Sequence, residues 1–123
     1  MEIWRKEGGA VGILGRNEKV ANKRADAINQ KGGRAIALNA DVMDTSQLIS
    51  AREKLLREYG QINGLVNAVG GIQPQGVLQP SDDIFQMNMQ GMKEVMDLNL
   101  WGILYSTQIL GEAITDCRKR GYR

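Results

Sequence analysis

The amino-acid sequence predicts an α/β domain built around an incomplete parallel sheet of about three strands. Short apolar runs of strand length alternate with longer segments of helical periodicity, which is the pattern of β-α-β units. Most of these segments end in glycine, asparagine or aspartate, which commonly close strands and helices. The chain has 123 residues, 42% of them hydrophobic, which suffices for one domain with its own core.

The composition excludes several classes of function. The 16 basic and 14 acidic residues give a net charge of +2, too balanced to indicate a nucleic acid or a membrane as partner. The chain has no histidine, which removes histidine-based catalysis and the commonest metal ligand, so no metal site is predicted. Cys117 is the only cysteine and forms no internal disulfide, and we therefore expect a reducing, cytoplasmic location.

Three strands are predicted, at residues 10–14, 34–39 and 62–66. Each is a short, mostly apolar run bounded by glycine or polar residues. Parallel pairing is expected because helical segments separate the runs, and a crossover helix is the usual connection between parallel strands.

Two helices are predicted in the first third of the chain. Residues 1–7 look like the end of a helix that is stopped by Gly8-Gly9. Asn17 is a favourable N-cap for a second helix, which Gly32-Gly33 terminates.

Two more helices follow. Asp44 or Thr45 caps a third helix, which ends at Gly60. Residues 72–86 are expected to be irregular, and a long final helix runs from about Met92 to Cys117. Its apolar stripe is wide, so we expect it to pack against more than one neighbour, and one neighbour could be a second subunit.

Candidate ligand-binding residues follow each predicted strand. In a doubly wound sheet, ligands bind at the carboxyl ends of the strands. Gly15-Arg16 follows the first strand, Asp41-Val42 the second, and Asn67-Ala68-Val69-Gly70-Gly71 the third. Glycine lets a ligand come close to the backbone, and unpaired amides of such a turn can meet phosphate or ribose oxygens.

Each position has a ligand-binding and a purely structural interpretation. The guanidinium of Arg16 could bind a phosphate group, or Arg16 could be an exposed arginine near a helix N-terminus. Asp41 could accept a hydrogen bond from an adenine amino group, or it could be a turn or capping aspartate. The segment that begins at Asn67 could contact a nucleotide, or it could be a plain connection from strand to loop.

Asn99 is unusual within the apolar sequence Asp97-Leu98-Asn99-Leu100-Trp101-Gly102 of the final helix. Asparagine is a mediocre helix former, and a buried amide needs hydrogen-bond partners. We expect a buried Asn99, either as a satisfied core residue or as a member of a polar relay beside an active site. Gly102 permits close packing or a slight bend.

Four short sequences, taken in order, resemble the short-chain dehydrogenase/reductase family. They are Leu14-Gly15-Arg16-Asn17, Ala40-Asp41-Val42, Leu65-Val66-Asn67-Ala68-Val69-Gly70 and Asp97-Leu98-Asn99-Leu100-Trp101-Gly102. They match the N-terminal half of the family's Rossmann-like fold, and the resemblance covers nearly the whole chain. The long segment from Gly71 to Asp97 is similar to the D-mannonate oxidoreductase (fructuronate reductase) branch.

The resemblance implies that residues 1–123 form one partial dinucleotide-binding domain of an oxidoreductase. Gly15 stands where an NAD-specific site has an acid for the ribose hydroxyls, so Arg16 would select NADP, with NAD as the alternative. Asn99 would match the helix asparagine that supports a proton relay to the catalytic lysine. The cofactor would be lined by Gly15, Arg16, Asn17, Asp41, Val42, Asn67, Ala68, Val69 and Gly70.

The sequence departs from the family pattern in three respects. Val69 replaces the usual alanine, and its isopropyl group could crowd the cofactor unless Gly70-Gly71 compensates for the added bulk. The glycine-rich TGxxxGxG turn is absent from these 123 residues, so cofactor binding is expected to be weak. The catalytic serine and YxxxK pair are also absent, since Ile109 stands four residues after Tyr105.

The family's first strand, which would lie between residues 10–14 and 62–66, has no counterpart in the sequence. We therefore expect one of two outcomes. Either the sheet is rearranged in the order 34–39, 10–14, 62–66, or an open edge pairs with another chain in a homo-oligomer.

Two functions remain open. In the first, the chain is part of an NADP-dependent oxidoreductase that acts on a small-molecule sugar acid, and these 123 residues alone have little or no activity. In the second, it is a non-catalytic α/β module that binds a nucleotide or serves in assembly. A receiver-type domain ranks lower, because Asp41 and Asp44 alone do not supply the acidic cluster that it needs.

Overall fold

The computed structural model describes residues 9–72 and 74–119. They form strands β1 (Ala10–Gly15) and β2 (Arg34–Asn39) and helices α1 (Glu18–Gln30), α2 (Thr45–Tyr59) and α3 (Met89–Lys119). Two short 3-10 turns, Pro74–Gly76 and Ile84–Gln86, lie between α2 and α3. The predicted α/β class is confirmed, and the helix predicted at residues 1–7 lies outside the described residues.

The two strands pair in parallel over their whole length. The register runs from Ala10 opposite Arg34 to Gly15 opposite Asn39, and α1 is the crossover helix between them. In the middle of β1, a Cβ added to Gly12 would lie 2.8 Å from the side chain of Leu55 in α2. The small residue therefore lets α2 lie close against the sheet.

The prediction of a third strand at residues 62–66 is wrong. Residues 62–66 form no strand, and the sheet of the described residues consists of β1 and β2. Ile62 is buried but Val66 is 76% exposed, so the apolar run is covered at one end only. A strand needs a neighbouring strand to satisfy its amides and carbonyls, and neither β1 nor β2 pairs with this run. The rearranged order is therefore wrong as well, whereas pairing of an open edge with another chain stays a prediction.

Side-chain caps explain where the first two helices begin. The Asn17 side chain accepts a hydrogen bond from the Val20 amide at 3.2 Å, which confirms it as the N-cap of α1. Of the two candidate caps for α2, the structure uses Asp44, whose carboxylate accepts from the amides of Ser46 and Gln47. Its hydrogen bonds, above all that from the Ser46 hydroxyl, hold the pKa of Asp44 below its ordinary value of 3.8.

Both helices end at the predicted glycines. After α1, the Gly33 amide donates to the Ile28 carbonyl at 2.9 Å. After α2, Gly60 has a left-handed backbone (φ 76°) and donates to the Leu56 carbonyl at 2.8 Å. Side chains disfavour that conformation, so glycine stops the helix there.

α3 is longer than predicted, since it begins at Met89 instead of Met92 and ends at Lys119 instead of Cys117. The side chain of Asn88 accepts from the Gly91 amide at 2.9 Å. This cap went unrecognised because Asn88 lies in a polar stretch where no apolar periodicity marks a helix start.

The apolar stripe of α3 divides into a buried and an exposed face. Ile109 is buried beside α2, whose Arg52 donates to the Ile109 carbonyl at 3.3 Å. Met96, Leu100 and Leu104 are 60%, 51% and 47% exposed and lie one helical turn apart. The helix also packs against residues 67–71 and the 3-10 turn Pro74–Gly76, so the prediction of more than one neighbour is confirmed. A second subunit on the exposed face stays a prediction.

The core beside α3 contains a close contact between a glycine and two valines. Leu48 of α2 is fully buried there. Its neighbours come from β1, from α3 and from the connections before and after α2: Leu14, Val42, Val69, Leu98, Tyr105 and Ile109. A Cβ added to Gly102 would lie 2.9 Å from Val69 and 3.0 Å from Val42. The absence of a side chain at Gly102 thus lets α3 approach both valines.

We expect Gly102→Ala to destabilise the fold by about 1 kcal/mol, because crowding costs roughly 1–3 kcal/mol and alanine's helix preference offsets about 1. Gly111→Ala is the matched control, because no described atom lies within 4 Å of a Cβ added there. That control should gain up to about 1 kcal/mol. Urea unfolding measures both variants. Adding Val69→Ala should relieve the crowding in Gly102→Ala, whereas a stabilised Gly102→Ala would contradict the packing.

Candidate functional site

The carboxyl ends of β1 and β2 lie side by side. The Gly15 carbonyl accepts from the Ala40 amide at 3.1 Å. In the orientation that satisfies its neighbours, the side-chain nitrogen of Asn39 donates to the carbonyls of Gly15 and Arg16 at 3.3 and 3.1 Å. The end of β2 therefore fixes the backbone turn that carries Arg16.

Arg16 lies at an open cleft between the end of β1 and the first turns of α1. Lys19 and Arg24 line the same cleft, together with the single acid Glu18. The helix N-terminus adds partial positive charge, so the cleft favours an anionic group. Arg16 is exposed. This agrees both with phosphate binding and with an exposed arginine near a helix N-terminus, so the two interpretations stay open.

Asp41 lies in the connection from β2 to α2. Its Oδ1 accepts from the Met43 amide at 2.9 Å, which is the turn arrangement of the structural interpretation. Its backbone amide donates to the side-chain oxygen of Gln47 at 2.8 Å. One carboxylate oxygen thus holds the turn, and the role toward adenine stays a prediction.

Val42 and Val69 come together on the core side of the site. Val42 is 8% exposed, and both valines belong to the cluster around Leu48. Both flank Gly102 of α3. The isopropyl group of Val69 therefore packs against the core, and the crowding of a cofactor by it stays a prediction.

Residues 67–71, called the docked segment below, are attached to α3 at both ends. At one end, Asn67 Nδ2 donates to Thr107 Oγ1 at 2.8 Å. At the other end, Asn99 Oδ1 accepts from the Gly71 amide at 3.3 Å, and Asn99 Nδ2 donates to the Gly71 carbonyl at 2.9 Å. A side-chain amide thus pairs with both backbone groups of Gly71.

The contacts of the docked segment show that it runs extended and antiparallel to α3. Alternate residues meet the helix in reverse order, with Asn67 on Thr107, Val69 on Gly102 and Gly71 on Asn99. Four extended residues span roughly 13 Å and eight helical residues roughly 12 Å, so the two lengths match. Since alternate residues of an extended chain share a face, the exposed Ala68 lies on the face away from α3.

Asn99 is exposed, so its predicted burial is wrong. Its amide makes a further hydrogen bond from Nδ2 to the Val95 carbonyl at 2.7 Å. Hydrogen bonds to the docked segment and to its own helix therefore account for an asparagine within this apolar sequence. A Cβ added to Gly70 would lie 2.7 Å from Asn99 Oδ1, so a small residue is needed beside it. The core alternative is therefore wrong, and the relay alternative stays a prediction.

Sequence reasoning missed two residues that hold the site together, Asn39 and Thr107. Asn39 was taken only as the last residue of a strand. Thr107 lies eight residues after Asn99, which places both on one side of the helix. That spacing was the available signal, but a lone threonine on a helix has no distinctive pattern.

Two classes of site are not seen in the part of the chain that the structure describes. Residues 9–72 and 74–119 bring together no group of three or more histidine, cysteine, aspartate or glutamate side chains able to hold a metal ion. No helix among them has the length and apolarity needed to cross a bilayer.

The arrangement of strand ends, docked segment and long helix agrees with comparison to known families. The family model for short chain dehydrogenases matches residues 3–121. The chain belongs to the short-chain dehydrogenase family. The resemblance predicted from the four short sequences is thereby confirmed.

Relatives give the same result. An uncharacterized oxidoreductase, UxuB of Bacillus subtilis, is 27% identical over 89% of this chain and 42% of its own length. A provisionally assigned D-mannonate oxidoreductase from Haemophilus influenza, solved with bound NAD, has a TM-score of 0.80 at 25% identity, over 89% of this chain and 43% of that one. A 3-ketoacyl-ACP reductase from Sinorhizobium meliloti has a TM-score of 0.79 at 29% identity, over 98% and 44%. The chain thus spans about two fifths of the length of these relatives.

We expect Asn99→Asp to release the end of the docked segment. A carboxylate cannot donate to the carbonyls of Gly71 and Val95, and it places negative charge against both oxygens. The free energy of unfolding, measured by urea unfolding, should therefore fall by about 1–3 kcal/mol. Gln108→Glu adds the same charge at an exposed position of α3 and should leave that free energy unchanged. A wild-type free energy of unfolding in Asn99→Asp would contradict the pairing of Nδ2 with the two carbonyls.

Proposed function

We propose that this chain supplies part of a nicotinamide dinucleotide site in an oxidoreductase that acts on a sugar acid. The observation that carries the proposal is the convergence of both strand ends and the docked segment. Leu14, Val42 and Val69 belong to one core cluster, so the residues beside them lie at one edge of the domain. Folds of this class bind their ligands at that edge.

The residues at this edge suit a dinucleotide. The cleft at Arg16 also holds Lys19 and Arg24, which favour phosphate groups. The exposed Ala68 and Gly70 are small enough for a flat ligand to approach the backbone. The dinucleotide would carry the hydride, while this chain's residues would bind and orient it.

Within this proposal, Arg16 selects NADP. No described atom lies within 4 Å of a Cβ added to Gly15, so a 2′-phosphate would meet open space beside the arginine. The planar guanidinium can donate two hydrogen bonds to such a phosphate. NAD remains the alternative cofactor, because the Haemophilus relative was solved with NAD.

Asn99 would contribute from the opposite end of the docked segment. It fixes the backbone of Gly71, and its Oδ1 keeps one lone pair after accepting from that amide. In the whole enzyme this oxygen would support the proton relay to the catalytic lysine. Asn99 therefore links the placement of the segment to the chemistry.

The substrate class and the assembly are the remaining parts of the proposal. Likeness to the D-mannonate oxidoreductase supports a sugar acid, a small-molecule partner. The exposed stripe of Met96, Leu100 and Leu104 supports a homo-oligomer, since contiguous apolar surface commonly marks an interface. A cytoplasmic location agrees with the single cysteine.

We expect the chain to bind NADPH more tightly than NADH. Arg16→Ala should weaken NADPH binding roughly tenfold, because hydrogen bonds to a charged group are lost, and should change NADH binding little. Arg57→Ala, an exposed arginine of α2 outside the cleft, is the control and should leave both affinities unchanged. Titration calorimetry gives the dissociation constants. An equal loss for both dinucleotides in Arg16→Ala would refute the role in selection.

These 123 residues on their own should not oxidise NADPH in the presence of fructuronate. Their sequence has no YxxxK pair to supply the general acid for a carbonyl reduction. The assay follows NADPH absorbance with and without fructuronate. A fructuronate-dependent rate well above the control would show that other residues of the chain supply the proton.

A further inference from the structure

The start of the docked segment is held to α3 by two side chains that are 40 residues apart. Asn67 Nδ2 donates to Thr107 Oγ1 at 2.8 Å, and both residues are exposed. Water can replace an exposed hydrogen bond at little cost, so this contact adds modestly to fold stability. Its main effect is on the orientation of the Asn67 side chain.

The bond to Thr107 holds the Asn67 side chain against α3. With Nδ2 donating to the hydroxyl, the carbonyl oxygen Oδ1 is the atom of the amide that can accept from a ligand. The residues on either side of Asn67, Val66 and Ala68, are exposed, so the backbone there is open to a ligand. Asn67 thereby offers an acceptor of fixed orientation beside an accessible backbone.

We propose that Thr107 is a positioning residue for the dinucleotide, acting through Asn67. The proposal rests on the proposed function, since it names a further residue of the same site. The other two contacts of the docked segment, at Val69 and at Gly71, do not involve this hydroxyl. Loss of the hydroxyl therefore frees Asn67 while the rest of the segment stays attached.

The test compares three variants of the full chain. Thr107→Val keeps the branched shape and removes the hydroxyl, and it should weaken NADPH binding roughly two- to tenfold, the effect of one hydrogen bond. Thr107→Ser keeps the hydroxyl and should bind like the wild type. Thr115→Val is the matched control on the same helix, because the Thr115 hydroxyl donates to the Gly111 carbonyl of that helix at 3.5 Å.

A purely structural role would give a different result. It predicts that Thr107→Val and Thr115→Val lower the melting temperature while leaving NADPH affinity unchanged. Wild-type affinity in Thr107→Val would therefore overturn the proposal. So would failure of Thr107→Ser to restore binding, or an equal loss in Thr115→Val.

A second readout separates this inference from the proposed function. If the wild-type chain binds neither NADPH nor NADH, the proposed function fails, and the side-chain amide of Asn67 is followed by NMR without ligand. Thr107→Val should then shift the two Asn67 amide proton resonances toward those of a free amide, and Thr115→Val should not. Unshifted resonances in Thr107→Val would overturn the positioning role itself.

Discussion

The attachment of residues 67–71 to α3 is the contact on which the rest of the site depends. Gly102 makes it possible, because a side chain there would collide with both Val69 and Val42. The same glycine thus brings the end of β2, the docked segment and α3 to one place. Packing of the core and placement of the site therefore both depend on the space at Gly102. Adding one methyl group there would disturb both.

The contacts of the docked segment also explain how an extended part of the chain is held in place outside a sheet. A strand in a sheet is held by a ladder of backbone hydrogen bonds, and residues 62–66 have none with β1 or β2. Beyond them, the Asn99 amide takes the place of a neighbouring strand by pairing with both backbone groups of Gly71. One asparagine on a helix thereby supplies the pair of hydrogen bonds that the opposite residue of an antiparallel strand would otherwise provide.

The sequence predicted those features that local chemistry decides. Asn17, Asp44 and Gly60 define helix ends through bonds to neighbouring residues, and the structure confirms them. Features that depend on distant partners were less accessible. Apolar residues at 62–66 indicate a strand, but pairing requires a neighbour that no local pattern specifies. Likewise, the burial of Asn99 was inferred from its apolar surroundings, although the next residue, Leu100, is itself 51% exposed.

The alternation of the docked segment divides the predicted cofactor residues by the way in which each can act. Val69 packs against Gly102 of α3, so it fixes the course of the backbone there. Ala68 faces away from α3 and is exposed, so it can touch a ligand directly. The alternation does not extend to Gly70, because a Cβ added there would lie 2.7 Å from Asn99 Oδ1 of α3. A side chain larger than that of Ala68 would therefore extend from the exposed face of the segment, whereas any side chain at Gly70 would displace the Asn99 amide that holds the segment in place.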